Sequence, residues 1–133
     1  MSIINIIEIN SLGDKRGMLF SLEENKNIPI EIKRVYYMSG MQPDMPRGFH
    51  AHKQLEQVAV CLQGSCKFIM DDGVTQESVV LDKPSSAIVI DKMIWHEMHE
   101  FSDDCILMVL ANDYYEESDY IRDYAEFKTL VNL

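Results

Sequence analysis

Short bursts of β-branched and aromatic residues recur about every ten positions along this chain, each closed by a turn signal, and that spacing is the tightest constraint on its fold. The bursts fall at 3–9, 17–22, 30–38, 48–51, 57–63, 65–71, 75–81, 86–90, 94–100 and 105–112. The turns between them carry Gly13-Asp14, Asp71-Asp72-Gly73, Lys83-Pro84-Ser85 and Ser102-Asp103-Asp104, which supply the positive φ or Asx geometry of tight reversals. Asp72-Gly73 is the strongest hairpin signal among them. So many strands in 133 residues would leave too many open edges as a flat sheet, so they must close on themselves or stack as two sheets. An all-β jelly-roll barrel meets that demand. Only 118–130 reads as a helix, with Ile121, Tyr124, Ala125 and Leu130 at mixed i+3 and i+4 spacing behind a Ser118-Asp119 start.

The length suits a single domain, 1–133, and 47% hydrophobic with 26% charged residues is ordinary for a soluble globular chain. A net charge of -10 repels nucleic-acid backbones and anionic membrane surfaces, so neither is an expected partner. The start, MSIINIIEIN, lacks the basic flank and cleavage site of a leader and reads as a first strand. No stretch approaches the roughly 18 apolar residues of a membrane span. Cys61, Cys66 and Cys105 include no CxxC pair and suit reduced, packed thiols. The expectation is a cytoplasmic protein.

The chemistry concentrates in RGFHAHKQLEQ (47–57). On a strand, His50 and His52 at i, i+2 point to one face. Glu56 follows, and His96 lies where a later strand could bring it opposite. Three imidazoles and a carboxylate facing one cavity could hold a metal or move protons. His99 has no motif and reads as a rim residue. Between 33 and 53 the chain carries Lys33, Arg34, Arg47 and Lys53 against Asp44, a net of 4 - 1 = +3 in an acidic protein. No GxGxxG or Walker loop is present, so nicotinamide or ATP use through those turns is unsupported.

HxHxxxE, then Gly64, then a lone later histidine resembles the two-motif signature of the cupin superfamily, although 90–96 lacks the Pro and Gly that usually precede the second histidine. GDKRG (13–17), EIKRVYY (31–37), RGFHAHK (47–53), MIWHEM (93–98) and NDYYEESDYIRDY (112–124) are more specific. Together they are similar to the metal-independent cupins that isomerise dTDP-4-keto-6-deoxyglucose between C4 and C3, feeding 3-amino-3,6-dideoxyhexose synthesis. That resemblance implies no metal and no cofactor. It implies proton transfer by His50 and His52, with His52 favoured for the carbons, and a catalytic Tyr37. It further implies substrate contacts from Arg16, Glu56 and His96, with the Arg16–His96 pair pointing to the galacto-configured 3-keto product. A nucleotide sugar needs a diphosphate cradle, for which Arg34, Arg47, Lys53 and Arg122 are the candidates, the arginines first because their forks fit phosphate oxygens. Small cupins pair through sheet edges, and the apolar spacing of the N-terminal strand 3–9 invites exchange between subunits, so a homodimer with strand exchange is expected. A metal-dependent cupin oxygenase or isomerase, a non-catalytic sugar-nucleotide module and, third, a dTDP-sugar 3,5-epimerase remain as alternatives.

Overall fold

A computed structural model describes residues 2–133. In chain order the elements are β1 (Ile6–Glu8), β2 (Ser11–Asp14), β3 (Gly17–Phe20), β4 (Arg34–Met38), β5 (Arg47–His52), β6 (Gln57–Gln63), β7 (Cys66–Asp71), β8 (Gln76–Leu81), β9 (Ser86–Ile90), β10 (Trp95–His99), β11 (Ile106–Ala111), β12 (Tyr120–Ile121) and one helix, α1 (Tyr124–Val131). Ten strands form two five-stranded antiparallel sheets, β1-β9-β6-β11-β4 and β12-β5-β10-β7-β8. The β2–β3 hairpin stands apart from both. This is the small jelly-roll barrel of the cupin type.

Period-two alternation decides what lies between the sheets. Ala59 and Cys61 of β6 join Leu107 and Val109 of β11 against Phe68 and Met70 of β7 in the central core. The intervening Val58 and Val60 face the other way, where Ile9, Ile28 and Ile30 cover them. Both faces of β6 are therefore covered, which explains its near-continuous apolar run rather than polar alternation. Among the described residues no helix is long and apolar enough to cross a membrane.

The helix expected over 118–130 is shorter than its pattern implied. Glu117–Asp119 forms a 3-10 turn, and Tyr120 and Ile121 are a strand paired with His52 and Ala51. Ile121 is buried there with Trp95 and Phe127, so sheet pairing rather than helical periodicity explains its apolarity. The helix starts only after Asp123, whose carboxylate caps Ala125 N at 3.1 Å. Gly13-Asp14, expected as a turn, instead lies in β2 and pairs with Met18 and Gly17.

At the Asp72-Gly73 hairpin, Gly73 takes φ +97° and a Cβ there would lie 2.2 Å from Val131 Cγ2 of α1. Lys128 Nζ also donates to Gly73 O at 2.7 Å, so this turn docks the helix. Gly73→Ala is expected to destabilise the fold by about 1–3 kcal/mol, combining backbone strain with overpacking. Urea unfolding would measure it, and an unchanged midpoint would contradict this account of how the helix is seated.

Candidate active site

Strand β5 carries the histidines, and its backbone is bent to present them. Gly48 and Phe49 have φ of +92° and +61°, and a Cβ on Gly48 would stand 2.9 Å from His96 O. Glycine allows β10 to approach at the irregularity that pairs His96 with His50. The imidazoles then gather from two strands. The His50 ring lies 4.6 Å from that of His96 and 5.0 Å from that of His52, centroid to centroid.

Hydrogen bonding sets the tautomers of two of them. Nδ1–H of His50 donates to Gly48 O at 3.1 Å and Nδ1–H of His96 to Ile94 O at 3.1 Å, leaving Nε2 as the basic nitrogen of each ring. Both ring nitrogens of His52 are buried and have no hydrogen-bond partner among the described residues. The nearest carboxylate, Asp119, holds an oxygen 3.7 Å from His52 Nδ1 and is itself fixed by the backbone N–H groups of Gln54 and Leu55. Burial is the main force on all three imidazoles. It drives His52 and His96 down to about 3, assisted by the neighbouring His50 charge, and holds His50 below its ordinary value. At neutral pH the cluster is uncharged and able to accept protons.

His50 and His96 open on a cavity of about 300 Å³ that Arg34, Arg47 and Arg122 also line. Arg34 is the notable member: its Nε and Nη2 are buried and have no hydrogen-bond partner among the described residues, while its guanidinium stacks over Tyr36 with 5.1 Å to the ring centroid. A half-buried cation with two buried, idle donors facing a cavity is a receptor for an anion. Arg122 lies over Tyr120 at 4.2 Å and forks onto the Glu117 carboxylate with two 2.9 Å hydrogen bonds.

The other expected residues lie elsewhere in this protomer. Tyr37 is 73% exposed on the outer face of β4, and Tyr36 occupies the cavity instead, accepting a 2.7 Å hydrogen bond from Gln57 Nε2. Arg16 is exposed on the β2–β3 hairpin and paired with Asp14 at 2.7 Å. Glu56 bonds with Asn112 through both its backbone N–H and its carboxylate, and stands outside the group of three histidines whose nitrogens all approach within 4.8 Å. Those histidines could hold a metal, but without that carboxylate. Lys53 and His52 line a neighbouring cavity of about 390 Å³, and Tyr120 borders both spaces. His99 bonds with Glu97 at 2.8 Å, away from the cluster. Tyr36, Gln57, Tyr115 and Tyr120 are cavity residues that the motif reading did not select.

Residues 2–132 match the model of the FdtA family, described as WxcM-like, C-terminal. A TDP-4-oxo-6-deoxy-alpha-D-glucose-3,4-oxoisomerase of Aneurinibacillus thermoaerophilus is 53% identical over 126 residues, 95% of this chain and 91% of that protein. A 3,4-ketoisomerase of Helicobacter canadensis superposes with a TM-score of 0.95 at 45% identity, covering 99% of each chain. A histidine-to-asparagine variant of the 3,4-ketoisomerase QdtA of Thermoanaerobacterium thermosaccharolyticum, in complex with TDP-4-keto-6-deoxyglucose, superposes with a TM-score of 0.95 at 36% identity, covering 99% of this chain and 96% of that one.

Proposed function

The chain belongs to the FdtA family, and we propose on that footing that it is a sugar-nucleotide 3,4-ketoisomerase that moves the carbonyl of TDP-4-keto-6-deoxyglucose from C4 to C3. The observation that carries this reading is that the uncharged imidazoles of His50 and His96 share one cavity with a half-buried arginine whose donors are idle, with His52 packed against them. The C4 ketone acidifies the hydrogen on C3, and a neutral imidazole can take it. The resulting enediolate is reprotonated at C4 while a second group carries a proton from O3 to O4. His50 has a basic Nε2 and lines the cavity, so we assign it the carbon proton. His52, deeper and beside Asp119, is assigned the oxygens, which reverses the order favoured from sequence. Charge from Arg34 and Arg122 helps hold His52 neutral; a bound diphosphate offsets that charge and makes proton uptake easier.

No metal, nucleotide cofactor or external redox partner enters this sequence of steps. The test is proton NMR of TDP-4-keto-6-deoxyglucose with chelator-treated protein in heavy water. A 3-keto product deuterated at C4 is expected; turnover only after metal addition would favour the metal-dependent reading, which the three clustered histidine nitrogens keep in view. The same reaction in light water reports the C4 configuration through the H4–H5 coupling, small for the proposed galacto product and large for its epimer.

Removing the idle cation has a defined cost. Arg34→Met is expected to weaken TDP binding by about 10- to 100-fold, the worth of charge-assisted hydrogen bonds. Calorimetric titration measures it, and unaltered affinity would take the diphosphate away from Arg34.

The active form is proposed to be a homodimer with strand exchange. Among the described residues the β2–β3 hairpin pairs only with itself, and it exposes Leu12, Met18 and Leu19, while β4 is an edge strand exposing Val35 and Tyr37. Adding the hairpin to a partner's free edge would cover both and carry Arg16 toward the partner's cavity. Mixing inactive Arg16→Ala with inactive His50→Asn chains is expected to restore activity through hybrid dimers; no recovery would confine each site to one chain. A cytoplasmic location goes with this reading and is supported by three free thiols.

A further inference from the structure

Away from the histidines, the interior of the same barrel closes on three thiols. Cys61 lies on β6, Cys66 opens β7 and Cys105 sits just before β11, all buried and free. Cys61 and Cys105 sulfurs are 3.8 Å apart, and all three lie within 4.8 Å of one another. Bonds to sulfur of about 2.3 Å place three sulfurs about 4 Å apart around a planar three-coordinate centre and about 3.5 Å apart around a pyramidal one. The group therefore has nearly the spacing of a ligand set before anything binds.

The two loops beside the thiols are clasped together. Ser65 N donates to Ser102 Oγ at 2.9 Å, Ser102 N to Ser65 O at 2.9 Å, and Gln63 Nε2 to Asp104 O at 3.0 Å. This fixes the segments that carry Cys61, Cys66 and Cys105 relative to one another.

Charge selects the occupant. A buried complex with net charge and no counter-ion is costly. Cys61, Cys66 and Cys105 are buried in one apolar cluster with Ala59, Phe68, Phe101 and Leu107, surroundings that stabilise no net charge. Three thiolates would leave a monovalent ion at -2 and a divalent ion at -1, by formal charge; a trivalent centre alone is neutral. Soft sulfur ligands select thiophilic elements. We propose that Cys61, Cys66 and Cys105 form a binding site for a trivalent thiophilic metalloid of the arsenite class, held as a neutral three-sulfur complex.

The step balances without an oxidant or base. Three As–O bonds of As(OH)₃ break and three As–S bonds form; each thiol proton leaves with a hydroxide as water, and arsenic stays trivalent.

The test uses the full reduced chain and arsenite itself, read by native mass spectrometry. The expected adduct is one arsenic atom minus three hydrogens per chain, with a thermal midpoint raised by several degrees, as for a ligand that favours the folded state. Cys66→Ala, folded by circular dichroism, should lose that adduct or retain one oxygen on arsenic, the mark of two thiols; Cys105→Ala should behave alike. No adduct on the wild-type chain, an adduct that keeps oxygen there, or a full three-sulfur adduct on either variant would overturn the proposal. The ketoisomerase reading is untouched by any of these outcomes.

Discussion

Replacing His50 by asparagine is expected to lower kcat by about three orders of magnitude, and His52→Asn to do the same, with TDP affinity kept within a few-fold. The magnitude is that of a lost general acid or base, because asparagine fills the imidazole's space but cannot cycle a proton. The two variants should fail differently. Without His50, the C3 hydrogen should no longer exchange with heavy water. Without His52, exchange at C3 should persist above the uncatalysed rate while the carbonyl fails to move, since its proposed task is passing a proton between oxygens. Exchange surviving in His50→Asn and vanishing in His52→Asn would swap the roles. Near-normal turnover in either variant would remove that histidine from the mechanism.

Much of this cavity was legible because strand parity is a rigid rule, and the main misplacement came from not applying it. Arg34 and Tyr37 were both expected in the site, yet residues three apart on one strand face opposite sides. Arg34 faces the cavity, so Tyr36 and Met38 share its side and Tyr37 does not. The same parity correctly put His50 and His52 on one strand, and pairing with His96 joined the third ring. Arg122 lines the cavity, but from the position just after β12 rather than from the forecast helix. A two-residue strand leaves almost no periodic trace, whereas its tertiary partner His52 fixes it. Glu56 fell outside the group because Asn112, 56 positions later, holds its backbone and its carboxylate. No local spacing announces such a contact. Gln57 and Tyr115 were hidden for the same reason: their relevance arises only when distant strands close the barrel.

Keeping these imidazoles buried and uncharged makes the fold sensitive to acid, and His96 gives the clearest measure. Its folded value is about 3 against an ordinary 6.5, with burial as the leading cause and the His50 charge adding to it. Since the folded value is depressed, the unfolded chain binds more protons between pH 6.5 and 3. The stability that neutral His96 confers is therefore complete above 6.5 and is lost as pH falls toward 3. At pH 4.5 the unfolded histidine is protonated while the folded one is not. Two units of that gap correspond to about 3 kcal/mol lost relative to pH 7.5. His96→Asn has no such proton to bind, so its stability should fall by about 3 kcal/mol less over the same interval. His52 titrates in both proteins and cancels from the difference. The measurement is urea unfolding of both chains at pH 7.5 and 4.5, comparing changes rather than absolute values, so any fixed packing loss in the variant drops out. Parallel pH responses would mean that His96 charges freely in the folded protein, and a charged His96 could not belong to the neutral cluster on which the proposed proton transfers depend.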